Sequence, residues 1–498
     1  MKKNISKIII PALGMAALLT ASSCKKSFID LTDPTRIVSS DYYKDSSSMS
    51  TAVIAAYATL QDMYGKSGVN RGWWVFAEVS SDNSTAVVEG SGIGDFEFFT
   101  TTSANPVIQS MWTAAYRSIS RCNVVLGRID PVAITPAVKS RWQSEVKFIR
   151  ALAYFNLVRI YGDVPLVTKE VESVSEAYQY GRVNTAAIYA QIEKDLTEAE
   201  ADVNLPAKYA STNDLGRVTK TAVKALLAKV YLTQKKYADA VTKLSDFVTT
   251  YDGNTHSLLT NYADIFLTTN EVNAEIIFSV RYTKGNIPST GSPFTNLFAT
   301  STSAAGGVGT GYQFNTLRKD LVDTMNAQGT ADKRIAASIN TISATNWMTR
   351  KYLDVPNTDL DADNDWIVLR YADVLLMYAE ALNEVSAANT AQAVGLVNRI
   401  RTRAGLTASL LPVTISQADL RLAIERERRI ELNLEGHRWF DLVRTGRAIS
   451  VMNNHFTRYS IRLNATSPIV QIDQHNLLFP IPISEINTNP ILGQNTGY

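Results

Sequence analysis

The sequence predicts a mainly α chain: a solenoid of helix pairs carrying an irregular, loop-rich region. Three observations lead there. Apolar residues recur at close to 3.6-residue spacing through successive segments of the first half. Short turns join neighbouring segments, and small alanines stand where such helices would touch. Residues 282–316, rich in Gly, Ser and Thr, then break the pattern, because these residues favour turns over regular helix.

Taken in order, residues 1–23 read as an export signal. Lys2, Lys3 and Lys7 supply a positive start, and an apolar run from Ile8 to Ala21 follows. A permanent membrane span needs about 20 apolar residues, so the run suits a cleaved signal. Ala21, Ser22 and Ser23 lead into Cys24, whose thiol is the expected site of lipidation. Diacyl or triacyl attachment holds a protein on a membrane stably. Loss of the three lysines takes the formal charge of +2 to just below zero.

Helical stripes follow at 111–129 (Trp112, Ala115, Tyr116, Ile119, Val124) and 142–161 (Val146, Ile149, Ala153, Leu157, Ile160). The second stops at Gly162-Asp163-Val164-Pro165, where Gly accepts a left-handed backbone. Further helices are expected at 185–203, 219–233 and 237–248, the last two joined by the turn Gln234-Lys235-Lys236. Tyr231, Tyr237 and Ala240 around that turn resemble the tetratricopeptide helix–turn–helix pattern. After the irregular stretch, helix is expected at 369–382, 391–403 and 420–433, and the tail from Leu477 reads as extended and superficial.

Composition removes several function classes. Hydrophobic residues make up 45% and charged residues 19%, which suits a large folded core. The 49 basic and 47 acidic residues leave no basic footprint, so no nucleic acid partner is expected. Cys24 and Cys122 cannot form a thiolate metal site, and no two of the four histidines stand at i, i+4. Asp359, Asp361, Asp363 and Asp365 alternate like the start of a calcium loop, yet Asn364 and Arg370 stand where Gly and Glu are needed. A solvated acidic turn is the expectation there, with no metal and no cofactor.

Ordered motifs then carry a resemblance. They include Phe28-Ile29-Asp30, Tyr161-Gly162-Asp163-Val164-Pro165, Gly216-Arg217-Val218-Thr219-Lys220 and Asn273-Ala274-Glu275-Ile276-Ile277-Phe278. Leu369-Arg370-Tyr371-Ala372-Asp373, Val397-Asn398-Arg399-Ile400-Arg401, Glu427-Arg428-Arg429-Ile430-Glu431 and Gly436-His437-Arg438-Trp439-Phe440-Asp441 complete the set. Together they resemble the SusD/RagB family of surface lipoproteins. The resemblance implies a SusD-like fold with four tetratricopeptide-like helix pairs, divided as 24–280 and 281–498, with a variable loop at 282–316. It also implies a non-catalytic lid that binds oligosaccharides, or peptides in some branches. That lid would sit lipid-anchored on the outer-membrane surface and feed a SusC-like TonB-dependent transporter.

A saccharide site needs an aromatic platform beside polar side chains. Two loop segments combine these: Trp73, Trp74, Asp82, Asn83, Phe96 and Phe98 in the first, Tyr312 and Phe314 in the second. The second holds no Trp, which favours a smaller glycan, a different glycan backbone or a peptide over a starch-like chain. A glycoside hydrolase would need two carboxylates about 5–9.5 Å apart, and nothing in the sequence singles out a pair. The charges of 420–433 are expected to pair along their own helix for about 0.2–0.5 kcal/mol each. Arg438 and Asp441, three apart, are expected to tie helix to loop.

Overall fold

The structure is a computed structural model that describes residues 43–66, 72–86 and 91–498. The export signal, Cys24 and the Phe28-Ile29-Asp30 motif lie outside the described residues. The chain is mainly helical. The longer helices are α1 (Ser46–Tyr64), α2 (Pro106–Arg128), α3 (Pro136–Tyr161), α4 (Thr185–Ala201), α5 (Lys220–Thr233), α6 (Tyr237–Tyr251) and α7 (Lys319–Asn326). They continue with α8 (Tyr371–Val385), α9 (Thr390–Arg403), α10 (Gln417–Glu431), α11 (Arg438–Arg444) and α12 (Ala448–Arg458).

Local chemistry sets their ends. Asp45 and Ser48 cap α1 reciprocally, Asn184 caps α4, and Thr219 caps α5. Pro106 and Pro136 open α2 and α3, where a missing N–H costs nothing. Gly162 ends α3 at φ +72°, as the sequence predicts. From α1 to α6 each helix packs on the next, and α6 passes the contact to α8, which packs on α9 and α10. That succession is the expected solenoid. The second half of α3 is buried on almost every side, and one hydrophobic cluster runs from Met49 to Leu492.

Strands are short: β1 (Ser84–Thr85), β2 (Val164–Pro165), β3 (Arg182–Val183), β4 (Ile276–Val280), β5 (Thr316–Leu317), β6 (Ile339–Ser343), β7 (Asn346–Thr349) and β8 (Trp366–Arg370). They pair antiparallel as β1–β5, β2–β3, β4–β8 and β6–β7. The β4–β8 pair explains why the helix expected from residue 369 starts only at Tyr371: Trp366-Ile367-Val368-Leu369 is a fully buried strand. The tail also differs from expectation. Phe479 and Ile481 are buried, the Phe479 N–H donates to the Ile160 carbonyl at 2.8 Å, and residues 483–488 are helical. Phe479 packs edge-on against Phe76, so the tail closes the core instead of lying over it.

The charges of α10 are the main correction. Glu427, Arg428 and Glu431 are buried, and their partners are distant in sequence, not one helical turn away. Glu431 meets Arg370 at 2.7 Å and Arg334 at 3.1 Å, and it also pairs with Arg403. Arg370 reaches Glu435 at 2.6 Å and Glu275 at 2.8 Å, while Lys351 meets Glu435 at 2.7 Å. Burial opposes ionisation of Glu431, but Arg403, Arg370 and Arg334 overcome it and hold its carboxyl well below the usual range. Burial lowers Lys351 to about 8 even with Glu435 beside it. Arg438 and Asp441 do not pair with each other. Arg438 reaches Asp82 at 2.7 Å, and Asp441 accepts from Arg428 and Arg444.

Candidate ligand-binding surface

The two loop segments singled out in the sequence meet in space. Strand β1 belongs to the first and β5 ends the second, and they pair in the register Ser84↔Leu317, Thr85↔Thr316. Side chains reinforce the join. Ser84 donates to Asn315, Thr85 Oγ1 and the Ala86 N–H each donate to Glu97 at 2.9 Å, and Arg318 closes on the same carboxylate. A dipeptide strand pair is too short to hold itself, so these polar ties fix the junction.

The eight candidate residues divide by exposure. Trp73 is 3% exposed and Trp74 is fully buried; Phe96 and Phe314 are buried as well. Trp73 is locked three ways: its Nε1 donates to the Gly436 carbonyl at 2.9 Å, its ring stacks on Phe440, and the Arg159 guanidinium covers it at 4.4 Å. Gly436 has φ +82°, and a Cβ there would stand 2.7 Å from the Trp73 ring, so the approach requires glycine.

Asp82 and Asn83 are also buried, and they work as tethers. Asp82 takes Arg438 and Arg429, the latter at 3.2 Å. Asn83 donates to Glu78 at 3.2 Å and accepts from Arg429 at 2.9 Å. These six side chains support the surface from below.

Phe98 and Tyr312 remain half-buried and available. The Tyr312 and Phe314 ring centroids are 5.5 Å apart with their planes 30° from parallel, and the Tyr312 hydroxyl donates to Asp359 at 2.7 Å. That hydrogen bond raises the Tyr312 pKa. Exposed Ser301, Thr302, Ser303 and Thr310 supply hydroxyls nearby in the chain. Phe99 and Gln313 both adopt left-handed φ, +54° and +59°. Side chains other than Gly adopt that region at a cost, and such outliers cluster at ligand sites. Sequence patterns carry no signal for this strain.

The acidic run resolves into an anchor. Asp359 accepts from Thr310 N at 2.9 Å and from Tyr312. Asp361 accepts from Gly285 N at 2.9 Å and Ser289 Oγ at 2.7 Å. Asp363 takes Lys284 N at 3.0 Å, and Asp365 takes Tyr282 N at 3.0 Å and Arg281 at 2.6 Å. All four aspartates accept from residues 281–312 and so fasten that stretch to the segment leading into β8. The expected solvated turn holds at exposed Asp359, while Asp363 is half-buried and Asp361 and Asp365 are buried, Asp361 to 3% exposure. No cluster of three or more metal-ligating side chains occurs among the described residues.

Glu271 closes the end of the run, accepting from Asp365 N at 3.0 Å. Burial, then the Asp365 charge, pushes its carboxyl up from 4.5 to about 8. An acid held protonated by folding loses its contribution as pH rises from the unfolded value to the folded one. Glu271→Gln keeps the acceptor and removes the charge. It is expected to raise stability by about 2 kcal/mol at pH 8 and by little at pH 5, measured by urea unfolding at both pH values.

Comparison with known proteins agrees with this architecture. The model described as "SusD family" matches residues 310–498, and one described as "Starch-binding associating with outer membrane" matches 76–232. SusD-like protein P25 of Formosa agariphila is 28% identical over 94% of this chain and 95% of its own. Starch-binding protein SusD of Bacteroides thetaiotaomicron is 24% identical over 76% of each chain. A solved structure of a laminarin binding SusD-like protein, 28% identical, superposes with a TM-score of 0.76 over 92% of this chain and 100% of that one. With both family matches falling on the helical scaffold and on the strands that frame the loops, the chain belongs to the SusD/RagB family.

Proposed function

We propose that this chain is a carbohydrate-binding lipoprotein of the outer membrane, anchored through acylated Cys24, that captures oligosaccharides and delivers them to a SusC-like TonB-dependent transporter. The observation that supports this reading is the β1–β5 junction, which joins the two aromatic loop segments; Phe98, Tyr312 and Gln313 on them are half-buried. Ring faces meet the C–H faces of a sugar, and loop hydroxyls meet its hydroxyl rim. The small platform favours a short or slender glycan. No step of chemistry is assigned to the chain; its role is binding and transfer. Peptide capture by the same surface is the competing reading, since Ser, Thr and Gln side chains serve a peptide backbone equally well.

Calorimetric titration of the mature chain with laminarihexaose, maltohexaose and a mixed tripeptide series tests the reading. One saturable glycan class is expected, with Tyr312→Ala weakening it tenfold or more. Binding confined to the peptides would replace it with the competing reading, and silence across all three would remove both. Metabolic labelling with a radioactive fatty acid checks the anchor: label is expected on the wild type and absent from Cys24→Ser.

A further inference from the structure

A second cleft lies apart from the β1–β5 surface and shares no lining residue with it. It holds about 490 Å3 between α2, residues 165–180 and residues 485–492, within the 300–1,000 Å3 typical of small-ligand sites. On α2 the half-buried Tyr116 lines one wall, backed by the buried Trp112 one turn away with ring centroids 4.9 Å apart. Tyr178, 43% exposed, and Tyr180 line the facing segment.

The walls are fixed to one another. Tyr116 Oη donates to the Pro165 carbonyl at 2.8 Å, and Asn123 Nδ2 donates to the Val167 and Lys169 carbonyls at 3.0 Å each. Asn489 Nδ2 reaches the Tyr180 carbonyl at 3.2 Å, which ties the C-terminal wall to the facing segment. A cleft tied on three sides binds with little ordering cost.

Its lining charges are Arg117 on α2, Lys169 on the facing segment and Glu485 on the C-terminal wall, and both cations are already paired, Arg117 with Asp62 at 3.0 Å and Lys169 with Glu176 at 2.9 Å. With both cations already paired a net ionic ligand gains little, whereas hydroxyl groups find donors and acceptors together. Aromatic walls with a mixed polar edge suit the flat faces and hydroxyls of a sugar ring. We infer that this cleft is a second saccharide site that takes one or two neutral pyranose rings. The inference rests on the reading of the chain as a carbohydrate binder and adds a second place where that binding occurs.

Titration of the mature chain with laminarihexaose and maltohexaose, read by calorimetric stoichiometry, tests it. Two sites per chain are expected for at least one of the two glycans. Tyr178→Ala, at an exposed ring, and Ala177→Trp, which fills the mouth, should each remove one site and spare the other. Tyr312→Ala should do the reverse. A single site that survives both cleft variants and is lost in Tyr312→Ala overturns the inference while leaving the proposed function standing. Sites lost only in the cleft variants would keep the inference and overturn the β1–β5 assignment. No binding of either glycan would sink both.

Discussion

Glu431→Ala is expected to lower the unfolding free energy by about 3–5 kcal/mol, because it leaves a buried cluster of guanidinium groups one counter-charge short. Glu431 is fully buried and is shared by Arg370, Arg334 and Arg403. Removing it takes away the carboxylate that all three share; Arg334 keeps Asp332 to itself, but Glu275 is divided between Arg370 and Arg403, Glu435 between Arg370 and Lys351, and Glu427 between Arg334 and Arg401. Arg426→Ala, on the exposed face of the same helix, is the control and is expected to shift stability by less than about 0.5 kcal/mol. Urea unfolding of the three proteins reads the difference. A loss below 1 kcal/mol for Glu431→Ala would show that the cluster relaxes or admits water.

Asp82→Asn is expected to cost about 3 kcal/mol or more, although it barely changes side-chain shape. Asp82 is 1% exposed and joins Arg438 and Arg429, so the amide would face two buried cations with one acceptor oxygen. Burial works against the Asp82 charge, but Arg429 and Arg438 overcome it and hold the carboxyl well below the ordinary carboxylate range. A depressed acid stabilises the fold above its unfolded pKa, near 3.8, and loses that contribution as pH falls toward the folded value. The gap between wild type and Asp82→Asn should therefore be full at pH 7 and narrow below about pH 4. A variant of unchanged stability that had lost only ligand affinity would return Asp82 to the binding surface.

The helices were legible because their signals are local. The stripe through Trp112, Tyr116 and Ile119 and the stop at Gly162 both follow from backbone geometry, and both appear where expected. The C-terminal charges misled for the opposite reason. Glu427 and Glu431 stand at i, i+4 like a solvated helix face, yet their partners Arg334, Arg370 and Arg403 arrive from other elements. Spacing within one helix cannot reveal partners tens of residues away.

The candidate surface was legible in place more than in membership. Both loop segments were found, and pairing of Thr85 with Thr316 unites them. Composition alone could not separate Trp73 and Trp74, which pack inward, from Phe98 and Tyr312, which stay half-open. The spacing of the aspartates at 359–365 did not reveal their role: a turn with Leu360 at φ +61° breaks the extended alternation, and the N–H groups they hold, such as those of Gly285 and Thr310, are distant in sequence.

The central claim is that an oligosaccharide binds where the two loop segments meet. Hydrogen–deuterium exchange of the mature chain with and without saturating laminarihexaose tests it most directly. The account predicts slowed exchange of amides in residues 84–99 and 310–317, with the buried cluster around Glu431 unchanged. Bound glycan that leaves both of those segments unprotected would contradict it.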